Sequence, residues 1–189
     1  MIGGVLLTGG TSRRLGVDKA TLVLDGETLA QRAARTLAAV CGSVVEVGPG
    51  HTDLVAVRES PPGSGPLAAL AAGAGALLAT AGGVESVVVF ACDLPAAAPA
   101  VAALAAAPPA PVVVPLDADG RRQYACARYG PAMLVRAMDL AARGVLSLRE
   151  LVETASVADI LELDGFAPDV FADVDTPADA ERFGIALPR

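Results

Sequence analysis

One stretch of the chain concentrates the residue types that handle phosphate. It reads Leu7-Thr8-Gly9-Gly10-Thr11-Ser12-Arg13-Arg14-Leu15-Gly16-Val17-Asp18-Lys19. Adjacent glycines straight after an apolar run let the backbone turn sharply and present its N–H groups to an anion, with no Cβ in the way. Ser12 adds a hydroxyl donor, and Arg14 and Lys19 add full positive charges. The order is neither that of the Walker loop, which ends in Gly-Lys-Ser/Thr, nor that of the dinucleotide loop with three spaced glycines. Gly9-Gly10 alone would be equally well explained as a turn. With a serine, two arginines, a glycine and Asp-Lys at these spacings, an anion site is the better reading.

Two carboxylates complete the candidate chemistry. Asp93 follows the apolar segment 84–91 and so lies past the C-terminal end of a strand, where open parallel sheets bind ligands. A carboxylate there suits Mg²⁺, a hard cation that needs only one or two protein carboxylates beside phosphate oxygens. Capping the next helix would explain Asp93 as well. Asp173-Val174-Asp175-Thr176 is the third focus. Read as the end of a strand over 170–174, its alternation turns both acids to one face, and Asp175 could meet Asp93 across the sheet edge to clamp one or two metal ions. The plainer reading has Asp175 helping Thr176 to start a helix.

The elements that must position these residues alternate along the chain. Apolar runs of strand length and helical stretches succeed one another, which predicts an α/β fold of three layers, α/β/α, with a mostly parallel sheet. Residues 2–8 read as a first strand buried on both faces. Helices are expected over 28–40, 66–80, the Ala-rich stretch after Pro95, 131–142 and 147–154. Strands are expected over 44–47, 54–57, 84–91, 112–115, 124–129 (antiparallel) and 170–174. Thr176-Pro177-Ala178-Asp179 looks like a helix start, with Thr as N-cap, Pro first and an acid third. No internal repeat or linker divides residues 1–189, so one domain is expected.

Composition narrows the class of partner. The net charge of −7 argues against a nucleic-acid backbone, because neutralising phosphates needs a basic surface. Arg13, Arg14 and Lys19 form instead a local cationic spot suited to a small anion. Only 3% of residues are aromatic, so the core must be built from Ala, Val and Leu. The uncharged stretches 60–84 and 94–116 are long enough to span a bilayer but are broken by Gly and Pro, which predicts no membrane partner. The absence of a signal-peptide pattern predicts a cytoplasmic protein. Cys41, Cys92 and Cys126 lack paired metal spacing and read as reduced thiols. His51 reads as a solvated loop residue, Glu85 as a solvated strand start, and Gln123 as either an acceptor contact or a polar turn exit.

Residues 7–19 resemble the signature loop of the molybdenum cofactor guanylyltransferase (MobA-like) family, within the Rossmann-like nucleotidyltransferases. Gly65-Pro66-Leu67, Cys92-Asp93-Leu94-Pro95, Gln123-Tyr124 before Ala127-Arg128-Tyr129, and residues 171–179 follow in family order. The resemblance implies transfer of GMP from GTP to molybdopterin with release of pyrophosphate, assisted by Mg²⁺. It also implies transient contact with cofactor-delivery proteins or molybdoenzymes. Residue by residue, the backbone of Leu7, Thr8, Gly9 and Gly10 with Ser12 would hold the nucleotide. Arg14 would ground the phosphates, Lys19 would offset charge building at the α-phosphorus, and Asp93 would hold the metal. Glu59, Pro66 and Leu67 would line the base or ribose pocket. Glu59 stands where the family carries Asp, one methylene shorter. Asp173-Val174-Asp175-Thr176-Pro177 stands where the family reads Asn-x-Asn-Thr-Pro, and it is more like relatives that transfer cytidylyl groups to the same pterin. Asp175 is thereby implied as a second metal ligand. Gly9-Gly10 favours GTP; CTP, or another phosphorylated acceptor, stays open, as does a role in cofactor delivery without catalysis.

Overall fold

The computed structural model describes residues 1–9, 15–80 and 82–187. The N-terminal apolar run forms β1 (Ile2–Leu7). A turn at Lys19–Thr21 and a hairpin of β2 (Val23–Leu24) and β3 (Glu27–Thr28) lead into α1 (Leu29–Ala38). Next come β4 (Ser43–Val47), β5 (Val55–Val57), α2 (Gly65–Thr80) and β6 (Ser86–Ala91). They are followed by α3 (Ala98–Ala106), β7 (Val112–Pro115), β8 (Cys126–Tyr129) and α4 (Pro131–Ala142). The chain continues through α5 (Leu148–Glu153), β9 (Ile160–Leu163) and α6 (Pro177–Arg182).

Among the described residues the main sheet has seven strands, in the order β5-β4-β1-β6-β8-β7-β9. β8 runs antiparallel to both neighbours, and the other pairings are parallel. This is the expected mostly parallel sheet, and its central strands are apolar on both faces because helices cover both. Leu70, Leu77, Met133 and Leu151 from α2, α4 and α5 pack on one face; Ala33, Leu37, Val101 and Leu104 from α1 and α3 pack on the other. The small residues set how closely the layers approach. A Cβ on Gly73 of α2 would stand 2.7 Å from a Val5 methyl carbon, inside contact distance, so only glycine lets α2 sit this near β1. Arg128, buried on β8, donates to the carbonyls of Leu104, Ala107 and Pro108, so its guanidinium closes the C-terminus of α3.

The structure departs from the sequence reading at several places, and the β2-β3 hairpin is one that the reading did not expect. Residues 160–163, read as no element, form β9 on the free side of β7. Residues 170–174, read as a strand, pair with no strand among the described residues. Pro168–Phe171 make a short 3₁₀ turn instead, since Pro168 has no N–H for a ladder. Val170 packs beneath α3, while Val174 joins a separate small cluster with Leu22, Leu24, Leu29, Ala180 and Ile185. The strand alternation that placed Asp173 and Asp175 on one face therefore does not exist. The helix start at Thr176 does: its hydroxyl accepts from the Asp179 N–H while the Asp179 carboxylate accepts from the Thr176 N–H, over Pro177.

Candidate active site at the C-terminal sheet edge

Register brings three strand ends level, with Leu7 opposite both Val47 of β4 and Ala91 of β6. Whatever follows these strands meets at one edge: Gly9 after β1, Gly48 after β4 and Asp93 after β6. Backbone bonds lock the junctions, from Thr8 N to Val47 O at 3.1 Å and from Cys92 N to Leu7 O at 3.1 Å. A third, from Val174 N to Asp93 O at 3.0 Å, brings the C-terminal segment beside Asp93 without a strand.

Lys19 stands at the centre. Asp18 caps its short turn, one carboxylate oxygen accepting from the Ala20 N–H at 3.0 Å. The Lys19 ammonium then lies 2.9 Å from Asp93 Oδ2 and also donates to Asp175. Burial works to lower its pKa, but the bond to Asp175 and the charge and bond of Asp93 outweigh it and hold the pKa above the ordinary lysine value. Lys19 is charged throughout the physiological range. Asp173 is pushed the other way, upward, by partial burial and by repulsion from Asp175 and Asp93. It stays exposed, so the neighbouring charges are the more telling cause.

The three residues predicted to serve catalysis or metal binding and described in the structure, Lys19, Asp93 and Asp175, thus come together, although 156 positions separate the first from the last. Two carboxylates that already close on one cation, the ammonium, fit a divalent cation of the Mg²⁺ kind. Among the described residues no group of three His, Cys, Asp or Glu side chains is placed to enclose a metal. A pair suffices for an ion that keeps waters and takes phosphate oxygens.

Beside this centre is a cavity of about 240 Å³, walled by Leu7, Gly9, Glu59, Gly63, Gly65 and Pro66. Glu59 reaches it with one oxygen engaged by the Gly63 N–H at 2.9 Å. Two predicted nucleotide contacts are placed elsewhere. Leu67 is fully buried in the core under α2, because the first helical turn points it at the sheet. The Thr8 hydroxyl is turned inward and donates to Glu46 at 2.6 Å, and its backbone N–H is taken by the Val47 carbonyl. Gly10, Ser12 and Arg14 lie outside the described residues.

Sequence reasoning passed over Glu46. This side chain is 0% exposed and its two oxygens accept five hydrogen bonds, from the Thr8 and Thr52 hydroxyls and the N–H groups of Gly50, His51 and Thr52. Burial pushes its pKa up, but those donors win and bring it below the ordinary glutamate value. Its signal was a lone acid among the valines of β4. His51, read as solvated, is largely enclosed, with Nε2 2.9 Å from Asp18 Oδ2. The Gln123 amide donates to Asp117 at 2.9 Å and so serves a turn. Glu85 is exposed, as read, and pairs with the N-terminal ammonium. Cys92 and Cys126 are buried, and burial pushes all three thiols upward, to about 11 for Cys41 and about 12 for Cys126, which makes them poor nucleophiles.

Comparison with known proteins points the same way. The profile of the MobA-like NTP transferase domain matches residues 4–158. A Mycobacterium tuberculosis protein named probable molybdenum cofactor guanylyltransferase is 34% identical over 174 residues, covering 86% of this chain and 85% of its own. The crystal structure of molybdopterin-guanine dinucleotide biosynthesis protein A from Archaeoglobus fulgidus superposes with a TM-score of 0.72, at 18% identity and 96% coverage of each chain. A nucleotidyl transferase from Methanothermobacter superposes at 0.74, with 20% identity, 96% of this chain and 95% of that one. At these identities the two structures speak to the fold alone.

Proposed function

Because this chain belongs to the MobA-like NTP transferase family and is a nucleotidyltransferase, we propose that it transfers GMP from GTP to the phosphate of molybdopterin, releasing pyrophosphate, in the cytoplasm. The observation that carries the reading is the Lys19 ammonium held between Asp93 and Asp175 at the strand ends, beside a cavity whose wall begins at Gly9. An acceptor phosphate oxygen attacks the α-phosphorus, the bond from that phosphorus to the bridging β-oxygen breaks, and pyrophosphate leaves with the electron pair. The attacking phosphate is already ionised, so no general base is needed. Catalysis reduces to positioning and to charge placed where charge develops.

The residues divide that work. Lys19 is permanently charged and within reach of the triphosphate once its carboxylate partners are engaged elsewhere. Asp93 and Asp175 would hold the divalent cation on which the family typically depends, Mg²⁺ in our reading, and that ion would draw negative charge off the phosphate oxygens. Arg14 and the N–H groups of the glycine loop complete the phosphate cradle. Glu59, at the cavity wall, favours guanine, because guanine presents adjacent N–H donors to a carboxylate and cytosine presents one amino group. Cofactor-delivery proteins or molybdoenzymes would take the product by transient contact.

The test is pyrophosphate release from GTP, CTP, ATP and UTP with Mg²⁺, each with and without molybdopterin. GTP-dependent release that requires the pterin is the expected result. Release with CTP would transfer the reading to cytidylyl transfer and make Asp175 the residue to study. Release with neither, under any acceptor, would sink it. Glu59→Gln should narrow the preference for GTP over CTP by about tenfold, the scale of one charged hydrogen bond, read from the ratio of kcat/KM values.

A further inference from the structure

The loop after β4 is tied to the glycine-rich segment more firmly than a connector requires. Glu46, with no solvent exposure, gathers the N–H groups of Gly50, His51 and Thr52 at 3.0, 2.8 and 2.9 Å. The same carboxylate accepts from the Thr8 hydroxyl, so one buried charge fixes both the end of β1 and the loop 48–52. The two segments touch directly as well: a Cβ on Gly48 would lie 2.1 Å from Thr8 Oγ1 and 3.0 Å from Gly9 N.

What this anchored loop presents is the imidazole of His51. Its Nε2 is closed off from solvent and has no in-line hydrogen-bond partner among the described residues, and at 2.9 Å it faces Oδ2 of Asp18. A buried nitrogen left without a partner is costly, so the approach of that carboxylate is the contact that offsets the burial. The other oxygen of Asp18 accepts from the Ala20 N–H, and the Asp18 carbonyl accepts from the Thr21 N–H at 3.2 Å and its hydroxyl at 2.8 Å. Asp18 therefore faces the histidine on one side and caps the Lys19 turn on the other.

We propose that His51 is a positioning residue for nucleotidyl transfer: anchored by Glu46, its imidazole holds the Asp18 carboxylate in the orientation that caps the Lys19 turn, and so sets where the Lys19 ammonium stands relative to Asp93 and Asp175. This rests on the reading that Lys19 acts on the triphosphate. His51 touches neither nucleotide nor acceptor in this role. Among the described side chains facing the imidazole, Asp18 is the group through which it acts.

The experiment pairs amide hydrogen exchange over residues 16–22 with steady-state kinetics in His51→Ala, His51→Gln and Asp18→Asn. Glutamine can place an N–H near the position of the imidazole Nε2, and alanine cannot. The expected result for His51→Ala is about tenfold faster exchange at Ala20 and Thr21 and a kcat lower by about tenfold, the scale of a lost supporting contact, with KM for the nucleotide nearly unchanged. His51→Gln should restore both to within about threefold. In an Asp18→Asn background the histidine change should have little further effect, since both then act on one link. Wild-type exchange in His51→Ala, equal damage by alanine and glutamine, or full additivity with Asp18→Asn would each overturn the proposal. If the wild-type protein released no pyrophosphate with any nucleotide, the functional reading would fail, while the exchange and its rescue would still decide whether His51 orders the turn.

Discussion

The two halves of the main sheet treat their charges differently. At the β8-β7-β9 end, polar side chains satisfy one another: Arg121 pairs with Asp119 at 2.8 Å, Arg122 with Glu162 at 2.7 Å, Arg149 with Glu153 at 2.7 Å, and Gln123 with Asp117. At the β4-β1-β6 end, one lysine is shared by two carboxylates, a third acid nearby is pushed toward protonation, and Glu59 faces a cavity. The first arrangement is complete as it stands. The second holds its groups in strong mutual fields that a ligand of opposite charge would relieve, which is how binding and catalytic sites differ from solvated surface.

That contrast predicts which changes damage activity and which damage only the fold. The largest effect belongs to Lys19→Ala. Turnover should fall by about a thousandfold, or about 4 kcal/mol of transition-state stabilisation, while the melting temperature moves by no more than about 4 °C. A near-wild-type rate would break the comparison at its strongest point. Arg128→Met should do the reverse. Stability in urea should drop by about 3 kcal/mol as the carbonyls at the end of α3 lose their buried donor, and pyrophosphate release per folded molecule should not change.

Glu46→Gln sharpens the comparison through pH. The folded pKa of Glu46 lies below its ordinary value of 4.5, so its contribution is fully present above that pH and is lost as pH falls through the folded pKa. The variant should be less stable than wild type by about 2 kcal/mol at neutral pH. The gap should close as pH falls through the folded pKa, which urea midpoints measured along the pH series will show. The smallest effect is expected for Arg122→Ala, whose exposed pair with Glu162 contributes no more than about 0.5 kcal/mol to stability and whose loss should leave kcat untouched. A tenfold loss of activity there would show that the β7-β9 end takes part in the reaction.

Much of this was legible in the chain, for definable reasons. β1, β6 and β7 are apolar runs buried on both faces, and the helix expected from residue 28 starts there with Thr28 as its cap, so the pattern agrees with the structure. The clustering of Lys19 with Asp93 followed from knowing where strand ends lie. Asp175 reached its partners by another route than the one expected: Val170 and Val174 carry the spacing of a strand, yet each packs into a different cluster. β9 was missed because Ile160-Leu161-Glu162-Leu163 is short and its one outward residue, Glu162, is held by Arg122 from a loop far away in sequence. The β2-β3 hairpin had a signal that was overlooked, Asp25-Gly26, both residues with positive φ as such a turn demands. The contacts of Glu46 with Thr8 and of His51 with Asp18 could not be read, because nothing local relates residue 8 to residue 46 or residue 18 to residue 51.

The small cluster of Leu22, Leu24, Leu29, Val174, Ala180 and Ile185 has a consequence for the timing of synthesis. Leu22 follows the Lys19 turn and Val174 precedes Asp175, so this cluster is the clasp that joins early and late parts of the chain across the reaction centre. Because Val174 is a member of this cluster, Asp175 can close on Lys19 only after the C-terminal segment has been made. The grip of two carboxylates on Lys19 is thus the last part of this centre to be assembled.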